Sequence, residues 1–387
     1  TVNCGQGCAV VNEDKSTRYH RIRRRVELFA LCVWVMFLVG ILGSDTAHGW
    51  IDALAHLAFL RAMPDLVCNS VVVASYTFVV VVIGESIVSP LLLYSEFVLK
   101  HRFHLSRRRL THWMKEHAKK TIVHVAVVTF GAVVFYAAMW TWPMWWWLIG
   151  GGMFAVLTIA LTHFAPIITI PRLYHLRPLG RNELQNRLEL LLRRTGVPAM
   201  SIEELQLGSE TPRPNAALVG IGSTSRVLLT DALLADYSDD EIEVVLAHEI
   251  GHFMHHDVWK TMAFETASAV LIFGVAQWVF YQAGPMFGLA SVADVVGFPI
   301  LVLAGGAVLL MLTPVRNMIS RRHERQADQY ALAVTKKPDA FISGLRRLAR
   351  QSLAEEQPSR LAELLFYSHP PLSDRLATAN LAKLSNF

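Results

Sequence analysis

Six long apolar runs constrain this chain more than any other feature: roughly Val26–Leu42, Leu66–Leu93, Thr121–Trp142, Met144–Ile170, Met262–Ala283 and Val295–Leu312. Each is long enough to cross a bilayer core of about 30 Å as a helix. The expected fold class is therefore mainly α, a polytopic membrane protein with six transmembrane helices. Composition agrees, with 53% hydrophobic residues, only 17% charged residues and ten tryptophans. The basic stretch Arg18–Arg25 before the first run resembles the start of a signal peptide, but no small-residue cleavage site follows, so the run reads as an uncleaved anchor. The Trp-rich break at Pro143 suits a tight hairpin at a membrane interface.

Lys and Arg then orient the spans. Segments 1–25, 94–120, 171–261 and 313–387 together carry 35 of the 36 basic residues, and the alternate loops carry only Arg61. By the positive-inside rule both termini and the two long segments are cytoplasmic. The expected organisation is a basic N-terminus (1–25), a four-span membrane domain (26–170), a cytoplasmic segment (171–261), two further spans (262–312) and a second cytoplasmic segment (313–387). The net charge of +5 is thus a topology signal and implies a lipid bilayer as partner, not nucleic acid. Cys4, Cys8, Cys32 and Cys68 are too few and too scattered for a disulfide framework. Glu85, His124, His163 and Gln277 lie inside the runs, where a polar group faces a cavity or pairs with a neighbour.

Segment 171–261 reads as a compact α+β insert. Asn182 is placed to cap a helix with Leu184, Leu188, Leu191 and Leu192 on one face, and Gly196 to end it. Strand-like runs follow at Ile202–Leu207, Ala217–Ile221 and Val227–Thr230, and Asp239 or Asp240 starts a helix running towards Asp257. That helix carries His248-Glu249-Ile250-Gly251-His252. Four-residue spacing puts both imidazoles on one face, one turn apart, where they can share one zinc ion per chain. Glu249, between them, is placed to act as general base on a water molecule.

A catalytic zinc needs a third protein ligand and an open position. The long pattern with Gly and His seven and ten residues after the first His fails, because those positions hold His255 and Val258. A Glu on a second helix is the alternative, and Ser320-Arg-Arg-His-Glu-Arg-Gln-Ala-Asp328 supplies Glu324. Asp328, one turn on, can accept a hydrogen bond from a ligating imidazole. His323 is the rival ligand, but it points about 100° away from Glu324 on a helix. His255 and His256 read as interfacial or solvent-facing.

These residues resemble the type I CAAX prenyl proteases, membrane-embedded gluzincin peptidases. The likeness rests on Tyr94-Ser-Glu-Phe-Val-Leu-Lys-His-Arg-Phe-His, Ala165-Pro166, Asn215-Ala216 with Gly220 and Val227–Leu234, the Ser320–Asp328 run, and Ser368-His-Pro-Pro-Leu-x-x-Arg375. It implies a gluzincin-type catalytic domain in which Asn215 and Ala216 hold substrate backbone at an edge strand. It further implies that His369 donates to the developing oxyanion and that Arg375 pairs with an acidic group such as Asp328. Eukaryotic members have seven spans and an insert before the zinc helix. This chain shows six spans and no insert, and so resembles a shorter bacterial type, in a bacterial inner membrane rather than the endoplasmic reticulum. The implied substrate is a peptide or protein, membrane-associated or lipidated. Two rivals stand beside this reading: a quality-control membrane peptidase resembling the HtpX family, and a non-enzymatic scaffold whose structural zinc is closed by His255, His256 or His323.

Overall fold

The apolar runs become helices in the computed structural model, which describes residues 4–44, 46–55, 64–106, 108–164, 175–197, 201–206, 214–220 and 225–384. In chain order the elements are α1 (Cys4–Leu42), α2 (Thr46–Ala55), α3 (Asp65–Leu92), α4 (Leu110–Thr141), α5 (Trp146–Ile159), β1 (His175–Pro178), α6 (Asn182–Thr195), β2 (Ser201–Gln206), β3 (Ala216–Val219) and β4 (Arg226–Thr230). After them come α7 (Asp231–Asp236), α8 (Asp239–Met254), α9 (Asp257–Ala283), α10 (Phe298–Thr335), α11 (Pro338–Ser352), α12 (Arg360–Phe366) and α13 (Leu372–Leu384). Two compact units form, both discontinuous in sequence: residues 18–154 with 266–312, and residues 1–17 with 155–265 and 313–387.

Among the described residues, five helical stretches are long and apolar enough to cross a membrane: Lys15–Leu42, Asp65–Arg102, Leu110–Thr141, Asp257–Phe287 and Val295–Thr335. The sequence predicts six. The difference lies in Met144–Ile170, which is helical in α5, continues as a π-helical turn over Ala160–Phe164, and then passes into residues outside the described ones, Ala165-Pro166 among them. Met36, Phe130 and Met311 stay 71–74% exposed on these helices. Apolar surface of that kind is a liability in water and ordinary in hydrocarbon.

Inside the first unit, Leu38, Tyr136, Met139, Trp146 and Phe280 form a buried core. Gly84 lets α3 approach α1, because a Cβ there would fall 1.5 Å from the Trp34 indole. Of the polar residues within the spans, Glu85 and His124 satisfy one another across α3 and α4 at 2.8 Å. The side chain of His163 lies outside the described residues.

The second unit holds a four-stranded sheet in the order β1-β2-β4-β3, with β2 and β4 parallel and the outer pairings antiparallel. Three strands fall within a residue or two of the sequence expectation, while β1 gives no alternating signal in its four residues, His-Leu-Arg-Pro. β3 is an edge strand. Leu184, Leu188, Leu191 and Leu192 of α6 are buried in one core with Val227 and Leu229 of β4 and Leu246, Ala247 and Ile250 of α8. Gly196 ends α6 in the left-handed conformation, as expected, but Asn182 is its first helical residue and not its cap.

Ser238 caps α8 through a capping box with Glu241, a reciprocal pairing that satisfies two otherwise orphaned N–H groups. The helix stops at Met254 instead of running to Asp257. His255 closes it, His256 takes a left-handed φ of 54°, and α9 begins afresh at Asp257.

Candidate metal centre

Small residues allow α8 and α10 to meet closely. Ala247 and Ile250 on α8 and Ala327 and Ala331 on α10 are fully buried, and a Cβ on Gly251 would stand 2.9 Å from Ala327 Cα. This approach brings the four-residue pair on one helix to the four-residue pair on the other. His248 Nε2 lies 3.5 Å from Glu324 Oε2, His252 Nε2 lies 3.6 Å from Glu324 Oε1, and the two Nε2 atoms are 3.2 Å apart.

The three side chains fit a metal ion. Tetrahedral ligand atoms about 2.0–2.2 Å from a metal stand about 3.3–3.6 Å from one another; the two imidazole–carboxylate separations, each to a different oxygen of Glu324, fall in that range, and the Nε2–Nε2 separation lies just under it. The outer nitrogens are set as well. His252 Nδ1 lies 2.9 Å from Asp257 Oδ2. His248 Nδ1 lies 3.0 Å from Asp328 Oδ1, though its N–H is poorly aligned for a full hydrogen bond. With both Nδ1 atoms facing carboxylates, the facing Nε2 lone pairs repel unless a proton or a metal cation lies between them. Electrostatics say the same. Burial pulls the His252 ring down, but the Glu324 and Asp257 carboxylates outweigh it and raise its pKa to about 9. For Glu324, burial pushes upward and is overcome by His252, His369 and His248, which hold the carboxyl far below its ordinary range. The pocket is built to hold positive charge.

Glu249 is half-buried beside the cluster. Burial pushes its carboxyl up, His248 and His252 pull it back, and Glu324 adds to the rise. Asp328 is held from behind by Arg375 through two bonds, Nε to Oδ2 at 2.7 Å and Nη2 to Oδ1 at 2.6 Å. His369, in the turn before α13, sets its Nδ1 3.1 Å from Glu324 Oε2. Asn215 and Ala216 stand at the start of the edge strand, where Asn215 N–H donates to Thr230 Oγ1 at 2.9 Å and its carbonyl accepts from Thr230 N–H at 3.0 Å. His323 turns to Asp257, its Nε2 3.6 Å from Oδ1, and His255 donates its Nδ1–H to the Gly251 carbonyl at 2.8 Å. Among the described residues, neither these two nor His256 joins the three clustered side chains, so none closes the centre as a structural site requires.

Two residues of the neighbourhood carry no signal in the spacing pattern. One is Asp257. The other is Arg321, buried on α10, which donates to the Glu363 carbonyl at 2.8 Å and the Tyr367 carbonyl at 2.7 Å and so straps down the turn bearing His369.

The family model for peptidase family M48 matches residues 178–382, more than half of the chain. The chain belongs to peptidase family M48. A second model, described as the CAAX prenyl protease N-terminal region with five membrane helices, matches residues 12–175 of this M48 peptidase. CAAX prenyl protease 1 of Saccharomyces cerevisiae is 30% identical over 317 residues, 74% of this chain and 67% of that protein. An uncharacterized metalloprotease of Bacillus subtilis, YhfN, is 24% identical over 352 residues, 89% and 80% of the two chains. The crystal structure of Saccharomyces mikatae Ste24p shares the fold, with a TM-score of 0.78 at 20% identity, covering 95% of this chain and 89% of that one. The M48 chain is a multi-pass membrane metallopeptidase, similar to CAAX prenyl proteases.

Proposed function

We propose that the chain is a zinc metalloendopeptidase that cleaves peptide bonds near the cytoplasmic membrane face, with His248, His252 and Glu324 holding one zinc ion and Glu249 acting as general base. The observation that carries this reading is the cluster of His248, His252 and Glu324, the imidazole Nε2 atoms 3.2 Å apart and each within 3.6 Å of an oxygen of the Glu324 carboxylate, with a carboxylate behind each imidazole. Zinc, when bound, supplies a Lewis acid for the scissile carbonyl and acidifies water.

The remaining work falls to the chain itself. Glu249 takes a proton from the attacking water onto its carboxylate and passes it to the nitrogen of the leaving amine. Its upward-shifted carboxyl suits that traffic, because a base that must also return the proton works best when its pKa is near the operating pH. His369 donates a ring N–H to the oxyanion that develops on the scissile carbonyl, a contact that contributes several kcal/mol in a preorganised site. Asp328, locked by Arg375, keeps His248 in register. The edge of β3 at Asn215 and Ala216 receives the substrate backbone as an added strand.

In this reading the chain has six spans, Met144–Ile170 included, and the basic segments put the catalytic unit on the cytoplasmic side of a bacterial inner membrane. The substrate is a peptide or protein at the membrane surface, lipidated or otherwise membrane-associated. Detergent-purified protein incubated with matched prenylated and unprenylated peptides, with and without a chelator, tests it. Cleavage that stops on chelation and returns with zinc supports the enzyme, and preference for the prenylated peptide supports the lipidated class. Cleavage indifferent to the chelator would sink the proposal.

A further inference from the structure

On an unbroken α-helix a residue five positions after His252 lies about 140° around the axis and about 7.5 Å along it, out of reach of the His252 ring. Asp257 nevertheless meets His252 Nδ1 at 2.9 Å. The reason is the way α8 ends. The His255 backbone N–H bonds the Gly251 carbonyl at 3.0 Å and its ring donates to the same oxygen at 2.8 Å, which closes the last turn. His256 then takes a φ of 54° and reverses the local path. The new helix starts at Asp257, and its first carboxylate folds back over the end of the old one.

From this we infer that Asp257 is the positioning residue for His252, and that the left-handed turn at His256 is the device that aims it. The inference rests on the proposal that His252 is a metal ligand. An Nδ1–H held by a carboxylate leaves the Nε2 lone pair free and pointed at the cluster, and fixes the ring plane about its Cβ–Cγ bond. Asp257 is 5% exposed, and its second oxygen is not idle. Oδ1 faces Lys260 Nζ at 3.4 Å and His323 Nε2 at 3.6 Å. His323, the rival of Glu324 for the third ligand position, thus lies beside the carboxylate that meets His252. The two imidazoles are supported from opposite sides: His248 from α10 by Asp328, and His252 from the start of α9 by Asp257.

The test is the zinc affinity of the full chain in detergent, read by competition with a chromophoric chelator, beside the thermal midpoint of the metal-free protein and the visible spectrum of the cobalt(II)-loaded protein. Asp257→Asn keeps the shape and removes the charge. It is expected to weaken zinc by about tenfold or more and to shift the cobalt band, while the metal-free protein still melts cooperatively. His256→Val removes nothing near the cluster but opposes a positive φ, and it is expected to weaken zinc in the same direction, whereas His256→Gly keeps wild-type affinity. Wild-type affinity and an unmoved cobalt band in Asp257→Asn would overturn the inference while leaving the zinc site standing. Failure of the wild-type protein to take up zinc would instead overturn the site on which the inference rests.

Discussion

Glu249 feels the charge of Glu324, yet opposite environments hold the two carboxyls at different settings. Burial dominates at Glu249 and pushes its carboxyl up, whereas the surrounding imidazoles overcome burial at Glu324 and keep it ionised. On the proposed mechanism those two settings suit a proton carrier and a permanent anion. Glu249→Gln is therefore expected to retain zinc at one ion per chain and to lose at least about 10²-fold in peptide cleavage, the lower end of what a positioned acid–base group contributes. Elemental analysis and a peptide assay on one preparation check both halves, and cleavage at the wild-type rate would remove Glu249 from its role. Glu324→Ala is expected to lose the metal itself. Full zinc occupancy in that variant would mean that another side chain completes the centre.

At the scale of elements, the centre depends on how closely α8 lies on α10. Gly251 sits within the metal motif, and its reason is steric: a methyl group there would meet the Ala327 backbone at 2.9 Å. Gly251→Ala is expected to cost about 1–3 kcal/mol as an overpacking change and to weaken zinc binding, since the imidazoles move with one helix and Glu324 with the other. A melting curve and a chelator competition read the two effects, and a variant unchanged in both would show that the helices have room to spare. The other end of α8 is pinned electrostatically. Burial pushes the Glu241 carboxyl up, but bonds from Ser343 (2.7 Å) and the Ser238 N–H (2.9 Å), with Arg347 at 3.4 Å, outweigh it and hold the group below its ordinary range. A carboxyl depressed in the folded state stabilises above its unfolded value and loses that contribution as pH falls through the folded value. The melting difference between wild type and Glu241→Gln should thus be full at pH 7 and should close as pH drops below about 4.3, the ordinary glutamate value. A difference independent of pH would assign the effect to packing alone.

For the whole molecule, the asymmetry of 35 basic residues against Arg61 makes a definite topological expectation. Reporter fusions after residues in 1–25, 94–120, 171–261 and 313–387 should all report the cytoplasmic side, and fusions in 43–65 and 284–294 the opposite side. An even number of spans requires Met144–Ile170 to cross. A fusion in 171–261 reporting the far side would leave five spans and would move the catalytic unit across the membrane. The paired Glu85 and His124 show how a predominantly apolar unit accommodates ionisable groups, by joining them across two helices at 2.8 Å.

Much of this architecture was legible in the order of residues because its physics is local. A span is declared by its own hydropathy, a shared metal face by two histidines one helical turn apart, and the end of α6 by a glycine free to adopt a positive φ. The four-residue phase of Glu324 and Asp328 belongs to the same class. β1 escaped notice because four residues, one of them proline, hold too little alternation to register.

Other features were decided only by the tertiary structure. Sequence favoured Glu324 over His323 by helical phase, but only the packing of α10 on α8 brings Glu324 to the imidazoles and His323 to Asp257. His369 reaches Glu324 because Arg321 fastens a turn more than forty residues away. Asp257 reaches His252 because His256 adopts a backbone conformation that its side chain does not announce. Periodicity fixes which residues share a face within one helix, whereas meetings between elements depend on close approach and on the sign of single dihedral angles, which only the packed chain selects.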